Sequence, residues 1–330
     1  MRPIAITVVV GAVALLLLPQ LTNEYVIGVA VTALVYTVAA ASLNLVYGYA
    51  GMLSFAQLAF WGIGGYCVAL TVMTFGGSFW TGLAIAALLN AMLAVLVGFP
   101  ALRLARDSFV IVTLSFSLLA FLIARDWVSL TKGPLGIPGL PAPTAFGYAF
   151  KTVTSYYYLT LGFFALSLAI LYAVVSSRIG RMLAAIKQNE PLAISQGAAP
   201  TPYKLFALAV SGALTGPAGG FLVFYQKVVD PLIFDFYYLQ AFLIMVILGG
   251  AGTFWGVVIA GLLMSALPEV LRFSNELRMV IYGVILVVVV LVMPQGVAGW
   301  MRERRIALGL RKLRTKNLEN PWKKHDNIPL

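Results

Sequence analysis

The chain has 330 residues, 61% of them hydrophobic and only 10% charged, with a mean hydropathy of +0.96. Soluble domains carry about 25% charged residues, so a water-soluble globule is excluded and the excess apolar surface has to meet lipid. The formal charge of +11 is no nucleic-acid signature, because nine of the 22 Lys and Arg follow Trp300. A basic tail beside the last apolar segment suits an anionic membrane surface. The single Cys67 excludes an intramolecular disulfide, and the single His325, in the tail, leaves the body without a histidine for metal binding or general base work.

Crossing a bilayer takes about 20 apolar residues. Ten spans are predicted: Ile4–Leu18, Tyr25–Tyr47, Met52–Met73, Trp80–Leu102, Ser108–Ile123, Tyr156–Val175, Leu205–Tyr225, Phe236–Leu248, Phe254–Val270 and Met279–Val297. Arg2 before the first span resembles a signal peptide, but Pro19–Asn23 offers no small-x-small cleavage site. The expectation is an all-α polytopic membrane protein with about ten transmembrane helices over residues 1–300. Residues 301–330 form a basic cytoplasmic tail.

Orientation follows from the basic residues. With the N-terminus inside, 16 Lys and Arg lie inside and six outside, while the acids divide five to six. That asymmetry places both termini in the cytoplasm. The longest outer segment, Asp126–Ser155, is rich in glycine and proline around Gly133–Pro138, and reads as a turn-rich periplasmic loop.

The most polar internal stretch is Ser176–Lys204, which carries Arg178, Arg181, Lys187 and Lys204 against Glu190. Met182, Leu183 and Ile186 make one apolar helical face. Pro191 interrupts, a short run to Gln196 follows, and Gly197 sits where a helix stops. Ala198–Pro202 cannot continue a helix. A short helix–break–helix on the membrane face results, either an anchored loop or a handle that another protein grips.

Two glycine-rich strings stand out within the apolar spans. In Ser42–Gln57, Asn44 and Gly48 are four apart, as are Ala50 and Ser54, with Gly51 and Gln57 close by. They read either as helix packing or as a broken helix lining a polar route. Gly212, Gly216 and Gly220 recur every four residues, which puts a helix–helix interface on one face. Gly249, Gly250 and Gly252, in Gly-Gly-Ala-Gly, resemble Gly48-Tyr49-Ala50-Gly51, a repeat-like echo between an inbound and an outbound span. No nucleotide loop, zinc-protease or serine-hydrolase motif occurs. All 11 acids fall in predicted loops, span ends or the tail, so neither enzyme chemistry nor a gradient-driven pump with a buried acid is indicated. Such a transporter draws its energy from a partner.

Several stretches in order resemble the permease subunits of bacterial ABC importers for branched-chain amino acids, the LivM branch in particular. They run Asn44-Leu45-x-x-Gly48-Tyr49-Ala50-Gly51-x-Leu53-Ser54-x-x-Gln57, Phe60-x-Gly62-Ile63-Gly64, Asp107-Ser108-Phe109-x-Ile111-Val112-Thr113-Leu114 and Gly133-x-x-Gly136-Ile137. Gly180-Arg181 leading to Tyr203-Lys204, Leu248-Gly249-Gly250-x-Gly252 and Met293-Pro294-Gln295-Gly296 complete the set. Ala56 stands where glycine is usual, and Pro191 and Ala198–Pro200 depart from the usual coupling loop.

The resemblance implies a multi-pass protein of the bacterial inner membrane that is not itself an enzyme. Its implied partners are a second homologous permease, two cytoplasmic ATPases that hold ATP and magnesium, and a periplasmic substrate-binding protein. Ser176–Lys204 becomes the ATPase-coupling segment, with Arg181, Ala193, Gly197, Tyr203 and Lys204 at the contact. Branched-chain amino acids are the expected cargo. Urea, short amides and other small amino-acid-like solutes are the alternatives on the same architecture, and a gradient-driven carrier or channel is the more distant one.

Overall fold

The computed structural model describes residues 2–145, 147–265 and 284. Helices α1 (Arg2–Leu21), α2 (Glu24–Asn44), α3 (Ala56–Met73), α4 (Phe79–Ala101) and α5 (Arg106–Asp126) follow in order. The loop after them holds α6 (Val128–Thr131) and the short strands β1 (Ile137–Pro138), β2 (Thr144–Ala145) and β3 (Tyr148–Ala149). Then come α7 (Val153–Ser176), α8 (Arg178–Gln188), α9 (Glu190–Ser195), α10 (Pro200–Gln226) and β4 (Val228–Val229). Helices α11 (Phe236–Gly249) and α12 (Phe254–Met264) complete the described part. The expected span Met279–Val297, apart from Val284, and the basic tail lie outside the described residues.

Local chemistry sets the helix ends. Ser78 Oγ accepts from Thr81 N at 3.2 Å to start α4, and Thr152 Oγ1 accepts from Ser155 N at 3.2 Å to start α7. Each satisfies an N–H that a helix start leaves orphaned. The prolines expected to stop helices instead begin them. Pro191 sits in the first turn of α9 and Pro200 in that of α10, where the missing N–H costs nothing. As a result α10 starts before the expected Leu205.

Among the described residues, six helices are long and apolar enough to cross a membrane: Glu24–Tyr49, Ala56–Met73, Phe79–Ala101, Asp107–Asp126, Val153–Ser176 and Pro200–Gln226. They form two layers. The most apolar windows of α2, α3 and α10 are 78%, 72% and 78% buried, whereas those of α4, α5 and α7 are 28%, 28% and 22% buried. Large apolar side chains such as Leu88, Leu96, Ile111 and Leu166 point outward from that second layer. Water penalises this arrangement and lipid does not.

At the end opposite α8 and α9, β1 pairs antiparallel with β4, Ile137 facing Val229. Trp80 Nε1 donates to Thr144 O at 2.8 Å and pins the loop to α4. After β4 the chain dips back into the bundle. A 3-10 turn, Pro231–Phe234, sets the Phe234 ring where a Cβ on Gly62 would stand and Ile233 against Gly65. Asp235 then caps α11, its Oδ1 accepting from Tyr237 N at 2.8 Å. Asp235 shares a groove with Leu114, Ser117 and Leu118, midway along α5. Asp235 thus stands where the sequence expects an acid, in a loop at the start of a span, although the turn before it packs against α3 and α5.

Candidate functional site: two glycine turns and the α8–α9 segment

Helix α2 does not end at Asn44; it widens. Leu45–Tyr49 form a π-turn, in which Ala50 N donates to Leu45 O at 3.2 Å and Met52 N to Val46 O at 3.0 Å. Gly51, at φ +73°, then turns the chain, and Met52–Phe55 run on without helix. The expected span from Met52 therefore begins at Ala56, and Ala50 and Ser54 share no helical face.

Because α3 starts inside the bundle, its first N–H groups cannot reach water. Helix α5 supplies the partners. Phe55 N donates to Thr113 Oγ1 at 3.1 Å and Ala59 N to Ser117 Oγ at 3.2 Å, while Ser117 Oγ donates to Phe55 O at 2.8 Å. Ser54 is buried in a crevice with Phe109, Thr113 and Leu208.

The second glycine turn docks on the first. Helix α11 closes with Gly250 N donating to Ile247 O at 3.1 Å, while Gly249 backs onto α12 where a Cβ would stand 2.5 Å from Val257 Cα. Gly252, at φ +90°, leads into α12. Asn44 joins the turns. Its Oδ1 accepts from Gly252 N at 2.9 Å and its Nδ2 donates to Thr253 O at 3.2 Å. Gly48 lies so close to Gly252 N that neither tolerates a side chain.

The α8–α9 segment reaches this junction through Lys187. Its Nζ donates to Gly48 O at 2.6 Å, and its Cγ lies 2.8 Å from where a Cβ on Gly51 would be. Burial pushes the Lys187 ammonium below the ordinary lysine value. A cation on the last carbonyls of a helix is also where the backbone dipole favours it. Tyr47, Gly51, Met52, Ile186, Lys187 and Ala251 line a cleft of about 480 Å³. Lys204 and Glu190 form its rim and pair at 2.7 and 2.8 Å.

Of the expected contact residues, Arg181 is exposed, and its Nη1 donates to Ser176 O at 3.1 Å. Helix α8 buries Gly180, Leu183 and Ile186 against the bundle. Helix α9 buries none of its residues: Leu192 and Ile194 are 54% and 53% exposed, and Ala193 is half-buried between them. Gly197, exposed at φ +86° with open space around it, returns the chain toward α10. Tyr203 is half-buried against the core.

The other glycine string stays helical. On α10, a Cβ at Gly212 would stand 2.8 Å from Asn90 O, one at Gly216 would strike the Asn90 amide, and one at Gly220 would stand 2.6 Å from Val68 Cγ2. Gly64 of α3 meets the Gly216 backbone directly. Gln57 sits beside this seam as a buried polar tie. Its Nε2 donates to Ala39 O at 3.1 Å and to Thr215 Oγ1, and its Oε1 accepts from Ser211 Oγ at 3.0 Å. Ser211 Oγ also contacts Ser42 O at 2.9 Å.

Sequence reasoning singled out none of Lys187, Thr113, Ser117, Asn90 or Thr253 as a site residue. Thr113 and Ser117, four apart and facing α3, had a readable signal. For Lys187 the available signal was its position one residue beyond the apolar face of α8.

The Branched-chain amino acid transport system / permease component family model matches residues 25–290. The chain belongs to that family. The high-affinity branched-chain amino acid transport system permease protein LivM of Escherichia coli is 32% identical, over 86% of this chain and 73% of the relative. LivM of Salmonella typhimurium is 31% identical, over 84% of this chain and 71% of the relative. The corresponding permease protein LivH of Salmonella typhimurium is 26% identical, over 80% of this chain and 91% of the relative. No solved structure matches.

Proposed function

We propose that this permease is one of two homologous membrane subunits of an ATP-driven, binding-protein-dependent importer for branched-chain amino acids. It sits in the bacterial inner membrane with about ten spans and both termini cytoplasmic. A periplasmic binding protein delivers the solute, and two cytoplasmic ATPases holding ATP and magnesium grip the α8–α9 segment. The family match supports the permease role, and the similarity to both LivM and LivH supports a heterodimeric pair. One observation carries the coupling assignment. The α8–α9 segment offers an exposed apolar tip at Leu192 and Ile194, while Lys187 of the same segment touches the broken helix. A mere anchoring loop has no use for both.

The test is reconstitution of the chain with a second permease, two ATPases and the binding protein in proteoliposomes. ATP-dependent uptake of L-leucine, undiminished by excess urea or acetamide, is expected. Uptake of urea or an amide in place of leucine overturns the cargo. Leucine uptake without ATPases overturns the importer class.

A further inference from the structure

Helix α2 breaks by widening into a π-turn, and a break of this kind leaves carbonyls without the N–H that a continuing helix would bring. In this chain the carbonyl of Gly48 is met by the ammonium of Lys187 at 2.6 Å, a side chain 139 residues away on the segment proposed to meet the ATPases. The contact belongs to a larger clasp. Gly48 packs on Gly252 with no room for a Cβ on either, and Asn44 ties Gly252 N and Thr253 O to α2. Gly51 lies against the Lys187 stem. Three pieces of chain therefore meet at one point: the end of α2, the turn between α11 and α12, and α8. The base of α8 is itself seated firmly. A Cβ on Gly180 would collide with Val175 O, and Leu183 and Ile186 are buried. The hairpin beyond it is closed by the Glu190–Lys204 pair.

We propose that Lys187 is the positioning residue that transmits movement of the α8–α9 segment to the broken helix, so that the two glycine turns shift with α8 as one piece. The argument is mechanical. Apolar packing seats α8 on the bundle, but dispersion contacts are individually weak and carry no direction. A charge-assisted hydrogen bond is directional and roughly twice as strong as a neutral one, and the acceptor of this one is backbone. The bond tethers the Gly48 carbonyl to α8 within the reach of the Lys187 stem, whose Cγ is packed against Gly51. The Asn44 amide then carries any displacement to α12 through two further bonds. The residues on the ATPase-facing side, Leu192 and Ile194, would supply grip, and Lys187 would supply transmission.

This proposal rests on the coupling role given above to α8–α9, and the test separates the two. Lys187→Met, Lys187→Arg and wild-type chains are assembled with the partner subunits and placed in proteoliposomes. ATPase retention, binding-protein-stimulated ATP hydrolysis and L-leucine uptake are measured on each, with uptake expressed per ATP hydrolysed. Lys187→Met is expected to retain the ATPases and to hydrolyse ATP, with uptake per ATP reduced about tenfold. Lys187→Arg, which keeps a cation and donors, is expected to recover most of that ratio. Asn44→Ala, which cuts the clasp from its other side, is expected to lower the ratio in the same way. Because the ratio is independent of the amount assembled, a loss of abundance alone does not reproduce this result. A Lys187→Met ratio within about twofold of wild type overturns the proposal. A Leu192→Asp, Ile194→Asp chain that keeps its ATPases and its uptake overturns the coupling role itself, and the proposal with it.

Discussion

The two glycine strings of this permease look alike in composition and do opposite things to the backbone. In the α10 seam, Gly212, Gly216 and Gly220 keep the helix intact and bring α3 and α4 to backbone contact. In the Gly48–Gly51 and Gly249–Gly252 turns, glycine ends a helix, and polar side chains from distant parts of the chain repair the break. The difference lies in spacing. Glycines every four residues line one helical face, whereas clustered glycines supply the positive φ at Gly51 and Gly252 that a turn needs. The first arrangement fixes helices against each other. The second creates a joint that can be held or released.

The largest effect is expected from breaking the seam. Gly216→Leu forces a side chain into the Asn90 amide and the α4 backbone, an overpacking cost of about 3 kcal/mol. Detergent-extracted protein should fall sharply in amount and lose its monodisperse peak in gel filtration. Gly162→Leu on α7, where nothing lies within 4 Å of the added Cβ, should leave both unchanged. An unaffected Gly216→Leu protein removes the packing reading of the seam.

A smaller effect sharpens the contrast. Gln57→Leu leaves Ser211 and Thr215 without their buried partner and costs about 2 kcal/mol. Its Tm should drop while uptake per ATP stays at the wild-type value, because Gln57 ties helices together and does not touch the glycine turns. Loss of the ratio with Tm intact would move Gln57 from the seam to the joint.

The smallest effect is one of pH. Burial holds the Lys187 ammonium below the ordinary lysine value, while Glu190, Lys204 and Tyr47 share its cleft. In the window between the folded and unfolded lysine values the unfolded chain binds more protons, so folding stability rises slightly with pH. The positive charge that Lys187 sets against the Gly48 carbonyl is lost over that same window. Uptake per ATP in proteoliposomes should therefore decline at a lower alkaline pH than a free lysine predicts. Lys187→Arg, which stays charged, should abolish that decline. An identical alkaline limb in the two chains would show that the charge on Lys187 carries nothing.

How much of this was legible in the chain follows from the range of each interaction. Long apolar runs announce helices because lipid acts on every residue of a span, and the positions of α2, α4, α5, α7 and α10 could be read that way. The α10 seam was also readable, since a period of four is local. The joint was not. Asn44 finds Thr253, and Lys187 finds Gly48, across separations that no local pattern encodes. The prolines at 191 and 200 were read as stops because their missing N–H is the same property at either end of a helix. Only the neighbouring caps, Asn189 among them, decide which end it is. Asp235 reads as a loop acid and is one, but that its loop packs back into the bundle is invisible in composition.

That returning loop has a consequence for length. Helix α11 has 14 residues and rises about 21 Å, short of the roughly 30 Å that the hydrocarbon layer of a bilayer measures. The chain adds the 3-10 turn Pro231–Phe234 ahead of it, and Asp230 and Asp235 cap turn and helix in succession, each accepting from the N–H two residues on. Where α11 begins is therefore fixed by two carboxylate caps rather than by the length of an apolar run.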